Sequence, residues 1–111
     1  MIISSDEHSI AVTTCGCRDS ARAIAAMLVE RRLAACVQMF PVESVYSWQG
    51  EICSEPEYVL FVKTRTELFE SVADAVREHH GYDLPEIIRL PITGGLADYL
   101  GWIDAQTENN C

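Results

Sequence analysis

Positive charge is scarce in this chain: 8 lysines and arginines stand against 17 aspartates and glutamates, a net charge of −9. Nucleic-acid affinity is built mainly from Lys and Arg contacts to phosphate, so no nucleic-acid partner is expected. Acidity leaves small ligands open and weakly attracts cations of any kind. Glycine and proline are few, 6 and 4 among 111 residues, and 49% of the chain is hydrophobic, which excludes the fibrous and disordered classes. No apolar stretch approaches the ~20 residues of a membrane span, and the longest runs, such as Tyr58 to Val62, are strand-sized. No basic region followed by an apolar run opens the chain, so no signal peptide is expected. A glycine-rich phosphate loop is also missing, because Gly94-Gly95 is too short to form one.

Cysteine is present, but not as a framework. Cys15, Cys17, Cys36, Cys53 and Cys111 make an odd set of 5 at irregular spacing, which reads as free thiols in a reducing compartment. A cytoplasmic protein is expected. The length fits one domain with one core, over residues 8–105, with a flexible tail at 106–111.

Ser9 to Cys15 is β-branched and apolar with little sign of a solvated face, the pattern of a central strand. Asp19 can cap a helix with Ala21, Ile24, Ala25 and Leu28 at helical spacing, ending near Leu33. Cys36 to Trp48 reads as a second strand, and Pro41, lacking an N–H, places it at a sheet edge. Gln49-Gly50 signals a turn into a third strand, Glu51 to Thr64. Thr64 and Glu67 have the spacing of a capping box, before a second helix striped with Leu68, Phe69, Val72, Ala73 and Val76 that stops at Gly81. Glu86 to Ile92 is a fourth strand, with Pro91 again marking an edge. Leu96, Tyr99, Leu100 and Ile103 give a short third helix after Gly94-Gly95. The expected fold is α+β: a ferredoxin-like βαββαβ sandwich with an additional C-terminal helix and a long hairpin between the second and third strands.

That hairpin outruns its helices. Cys36 to Trp48, fully extended at ~3.3 Å per residue, spans ~43 Å, whereas a helix of about fourteen residues covers ~21 Å. Val42, Val45, Tyr46, Trp48 and Ile52 would overhang in water, so another subunit is expected to cover them. The alternative is a second strand that breaks and folds back at Pro41.

Several ordered blocks resemble the CutA family, the divalent-cation tolerance proteins, from about Ile10 to Trp102. They are Thr14-Cys15 at a strand end, Leu33-Ala34-Ala35-Cys36-Val37, Ser44-Val45-Tyr46-Ser47-Trp48-Gln49-Gly50-Glu51-Ile52 and Val62-Lys63-Thr64. His79-His80-Gly81-Tyr82-Asp83-Leu84-Pro85-Glu86-Ile87 and Leu90-Pro91, followed by Tyr99-Leu100-Gly101-Trp102, complete the set. The resemblance implies a ferredoxin-like fold, an interlocked homotrimer resting on the long hairpin, and a link to copper and other divalent cations. By that resemblance the copper contacts fall on Cys15, His79 and His80. Gly81 departs from the family's usual proline after the second histidine and does not rigidify the turn. Cys17 is not a family hallmark.

The residues themselves bear on the same site. Thiolate and imidazole together suit copper or zinc better than magnesium or calcium. Neighbouring histidines on an ideal helix diverge by ~100°, so both face one ion only if the helix unwinds before Gly81. The bland reading makes the histidines partners of the helix dipole and Cys15 a small hydrophobe. Cys15-Gly16-Cys17 is either a two-thiol ligand or a coincidence of strand alternation, and Cys36 is expected in the core. An enzyme in which His80 activates Cys15 needs a lowered thiol pKa and a carbonyl pocket, and nothing signals either, so a non-enzymatic protein is expected. The other alternative is a PII-like signalling trimer binding a small molecule at subunit clefts. Glu57, Lys63, Tyr82, Glu86, Tyr99 and Trp102 are its candidates, weighed against ordinary ion pairs and aromatic packing.

Overall fold

The computed structural model describes residues 1–108; Cys111 and the end of the expected tail lie outside the described residues. In chain order the elements are β1 (Ile2–Cys15), α1 (Arg18–Glu30), β2 (Cys36–Trp48), β3 (Glu51–Arg65), a single 3-10 turn (Thr66–Leu68), α2 (Phe69–His79), β4 (Ile87–Leu96) and α3 (Ala97–Gln106). The strands form one antiparallel sheet in the order β2-β3-β1-β4. This is the expected ferredoxin-like arrangement, and the two prolines sit where a missing N–H is tolerated, Pro41 and Pro91 both on edge strands.

Alternation along the strands sorts their side chains to two faces. Ala11 and Cys15 of β1 and Leu60 and Val62 of β3 pack with Ala21, Ile24 and Leu28 of α1 and Val72, Ala75 and Val76 of α2. The intervening residues point the other way. There α3 covers one corner only: Leu100 and Ile103 pack with Ala35 and Ile92. The rest of that face is open and apolar, with Phe40 39% exposed, Ile88 50% and Leu90 43%. Phe40 meets Phe61 edge to face at 5.2 Å between ring centroids.

β2 runs through Pro41 without a break, in register with β3 from Cys36 opposite Lys63 to Trp48 opposite Glu51. The fold-back alternative therefore does not occur. Gln49 (φ 52°) and Gly50 (φ 80°) close the hairpin, both left-handed as a tight two-residue turn between twisted strands requires. β1 pairs with β3 only as far as Cys15 opposite Tyr58, so among the described residues the segment from Glu51 to Glu57 has β2 as its sole strand neighbour and overhangs the sheet. Val45 (69% exposed) and Ile52 (83%) project from the overhang, and the protein is 47 Å long but only 20 Å thick.

Several boundaries differ from those expected. β1 begins at Ile2 rather than Ser9, and after an irregularity between Ser4 and His8 its first residues pair with an equally extended β4, Ile3 opposite Gly95 and Ser4 opposite Gly94. Gly94 is therefore in a strand: a Cβ there would stand 2.9 Å from the Ile3 carbonyl oxygen, too close for any side chain. Cys17, extended and making no side-chain capping hydrogen bond, precedes α1, and Asp19 lies inside the helix's first turn instead of capping it. No capping box forms at Thr64, which remains in β3 and donates its hydroxyl to the Leu33 carbonyl at 2.7 Å. α2 ends at His79, and His80 leaves it in an extended conformation (φ −91°, ψ 142°), so Gly81 does not serve as a left-handed cap. The chain remains packed past the expected start of the tail: Gln106 closes α3, and Thr107, 2% exposed, takes hydrogen bonds from Arg65 at its hydroxyl (2.8 Å) and its carbonyl (2.7 Å). At the other end, the Ala97 N–H that opens α3 donates to the Met1 carbonyl at 2.9 Å.

Candidate functional site

Cys15, His79 and His80 lie where β1 ends and α2 runs out, but each has its own partners. Cys15, last residue of the central strand and 2% exposed, faces the helices. Burial raises its thiol pKa, so it is a protonated, core-packed side chain at neutral pH. That is opposite to an activated nucleophile.

The extended backbone at His80 swings its ring away from the helix and onto β1. Nε2–H donates to the Thr14 carbonyl at 2.5 Å, and Nδ1 accepts the Tyr82 N–H at 3.1 Å. Because a carbonyl only accepts and an amide only donates, these two bonds define a neutral ring with the proton on Nε2. Tyr82 packs edge-on against it, 4.6 Å between ring centroids. His79 is different. Its Nδ1–H donates back along α2 to the Ala75 carbonyl at 2.9 Å, which leaves the Nε2 lone pair of an exposed ring directed elsewhere. A metal-binding imidazole is oriented in this way, one nitrogen tied to a carbonyl and the other free.

Among the described residues, no three His, Cys, Asp or Glu side chains converge to hold an ion within one chain. His79 fits a borderline metal as it stands. Cys15 would have to lose a proton that burial retains, and His80 would have to give up one of two hydrogen bonds.

The cleft candidates divide into two groups. Tyr82 donates its hydroxyl to Glu57 at 2.8 Å and lies over Gly16, where a Cβ would meet the phenol oxygen at 3.1 Å. Burial, then the Glu57 carboxylate, pushes the Tyr82 pKa far up. The same two causes, in the same order, raise the Glu86 carboxyl. The second group is Lys63, whose ammonium donates to the Tyr99 hydroxyl at 3.3 Å, with Tyr99 against Trp102 at 5.5 Å. Glu57 and Lys63 are six residues apart on β3, about 20 Å along the strand.

The remaining cysteines separate by position. Cys17 precedes α1, exposed, with Sγ 3.3 Å from the Ser20 hydroxyl. That hydrogen bond, then those of the Ser20 and Asp19 backbone, lower its pKa. Cys36, expected in the core, is half-buried opposite Lys63. Cys53 lies in the hairpin overhang opposite Tyr46.

One cluster was absent from the sequence reading. His8, 6% exposed, donates from Nε2 to Asp104 Oδ1 at 2.8 Å and takes the Ser5 hydroxyl on Nδ1 at 2.5 Å. Beside it is a cavity of about 480 Å³ lined by Asp6, Glu7, Arg65, Thr66, Glu67 and Asp104. His8 and Asp104 are 96 residues apart, so no spacing signals the pair.

Comparison with known proteins joins this geometry to a family. The family model described as CutA1 divalent ion tolerance protein matches residues 9–106. Chloroplastic protein CutA from Arabidopsis thaliana is 44% identical over 93 residues, 83% of this chain and 51% of that protein, so the chain spans about half the length of this relative. The divalent-cation tolerance protein CutA from Archaeoglobus fulgidus is 41% identical over 101 residues, 91% of this chain and 99% of that protein. A solved CutA structure from Archaeoglobus fulgidus, described as a periplasmic divalent cation tolerance protein, has a TM-score of 0.90 at 40% identity and covers 91% of this chain and 99% of its own. CutA from Synechococcus elongatus gives a TM-score of 0.94 at 30% identity, over 97% of this chain and 96% of its own. With the match running from the central strand to the last helix, this chain belongs to the CutA1 divalent ion tolerance family.

Proposed function

We propose that the protein assembles as a homotrimer and binds a divalent cation, copper(II) first among them, at the end of α2, acting in the cytoplasm by sequestration or sensing and not by catalysis. His79 carries the reading: its Nδ1–H is held by the Ala75 carbonyl, leaving Nε2 available as a ligand. Imidazole suits copper and zinc, and among first-row divalent ions copper(II) binds such nitrogen sites most tightly. His80 and Cys15 join only after the Thr14 and Tyr82 bonds break and the buried thiol ionises, so they are secondary ligands.

The open sheet face and the overhanging hairpin support the trimer, because exposed apolar side chains on an unpaired ribbon favour burial against further copies. Neighbouring copies would also supply the ligands a single chain does not bring together. The free thiols among the described residues suit a reducing compartment. The small-molecule alternative has less support, since its six candidates separate into two groups along β3.

Competition titration with copper(II) tests the site. His79→Ala should weaken affinity by tenfold or more and His80→Ala by less. Undiminished affinity in the double variant removes the site, and light scattering that finds a monomer removes the trimer.

A further inference from the structure

We propose that Cys15 and Cys17 are a reversible dithiol pair, closing to a disulfide across Gly16 after a hydroperoxide oxidises Cys17. The chain bends at Gly16 and Cys17 immediately after β1 ends at Cys15. Residues two apart have Cα atoms at most about 7 Å apart even in a straight chain. A bend shortens that separation toward the span of about 4.4–6.8 Å that disulfides bridge. The two thiols also differ in the way a two-step oxidation needs. Cys17 is exposed at the cap of α1, where the positive end of the helix favours developing negative charge, and the Ser20 hydroxyl is 3.3 Å from its sulfur. Cys15, 2% exposed, is shielded from the oxidant and is not itself activated, so it serves only as the resolving thiol, with Gly16 alone between it and Cys17.

In the first step Cys17 Sγ attacks a peroxide oxygen: an S–O bond forms, the O–O bond breaks, and the leaving hydroxide takes the thiol proton to become water. In the second, Cys15 Sγ attacks Cys17 Sγ: the S–S bond forms, the S–O bond breaks, and hydroxide leaves with the Cys15 proton as a second water. Two thiols supply the two electrons that reduce one hydrogen peroxide to two waters. The ring closed across one glycine is small and strained, and strained or exposed disulfides are the readily reduced, regulatory ones. Any effect on cation binding rests on the reading above: closure turns the backbone next to Thr14, whose carbonyl holds His80. The thiol chemistry does not depend on that reading.

The test uses the full, metal-free, reduced protein, exposed to one equivalent of hydrogen peroxide, alkylated and digested with trypsin. The peptide ending at Arg18 contains Cys15 and Cys17 and no other cysteine. Its expected change is the loss of two hydrogens' mass with neither thiol alkylated, reversed by dithiothreitol. Cys17→Ser, at an exposed position that spares the fold, should leave Cys15 alkylatable, and Cys15→Ala should leave a Cys17 sulfenic acid that dimedone traps. Both thiols alkylated after peroxide, a cross-link to Cys36, Cys53 or Cys111 in place of the internal bridge, or undiminished oxidation of Cys15 in Cys17→Ser would each overturn the proposal, whatever the metal titration finds.

Discussion

Leu60 and Phe61 are neighbours on β3 that look to opposite sides of one sheet. Leu60 is fully buried among the residues of α1 and α2. Phe61 lies on the open face, against a Phe40 ring still 39% exposed. The chain completes one side of its sheet with its own helices and leaves the other, apart from the corner under α3, unfinished. Stability on the first side is a property of the chain. On the second, under the proposed assembly, it depends on how many copies are present.

The largest expected effect is on the closed side. Leu60→Ala should cost about 2–5 kcal/mol, the usual range for such a truncation in a packed core, and by the same amount at every protein concentration in thermal or urea unfolding. Under the proposed assembly, Phe61→Ala should cost more in concentrated solution and less on dilution, because association is what completes its burial. Equal concentration dependence for the two variants would erase the distinction between the faces.

A smaller effect of opposite sign should come from Thr13. It is 2% exposed on the closed side, opposite Leu60 and Ile87, and its hydroxyl has no hydrogen-bond partner among the described residues. Removing an unpaired buried hydroxyl with little change of shape should stabilise, so Thr13→Val is expected to gain about 1 kcal/mol. A loss on urea titration would mean the hydroxyl is satisfied.

The smallest effect is a slope with pH. Burial raises the Cys15 pKa, so its contribution is fully present below the ordinary thiol value of about 8.5. Above that, the unfolded chain releases a proton the folded chain keeps, and stability is lost as pH rises toward the folded pKa. Melting temperatures of Cys15→Ala should fall less steeply with rising alkaline pH than those of the parent protein, and parallel curves would show that Cys15 ionises as readily folded as unfolded.

Much of this architecture was legible because local pattern and tertiary outcome agree. β2 has the limits expected from Cys36 to Trp48, since β-branched and aromatic residues run up to a Gln-Gly turn and Pro41 demands an edge. Ile2 to Glu7 was not legible, because Ser4-Ser5-Asp6-Glu7 shows no alternation and the segment is held by pairing with a distant β4. Thr64 shows the reverse failure: a good local capping signal is overridden when its hydroxyl reaches Leu33. At the candidate site, the sequence singles out His79 and His80 but not what holds each ring, because the groups that separate them are the backbone carbonyls of Ala75 and Thr14. Backbone partners leave no mark in residue identity.

The hydrogen bond from Ala97 to Met1 ties the front of the polypeptide to the start of its final helix. Shortening the chain by its first three residues would unfasten α3 from a distance, and with it the cover that α3 gives that corner of the sheet. An affinity handle fused directly ahead of Met1 would enter the protein beside that joint.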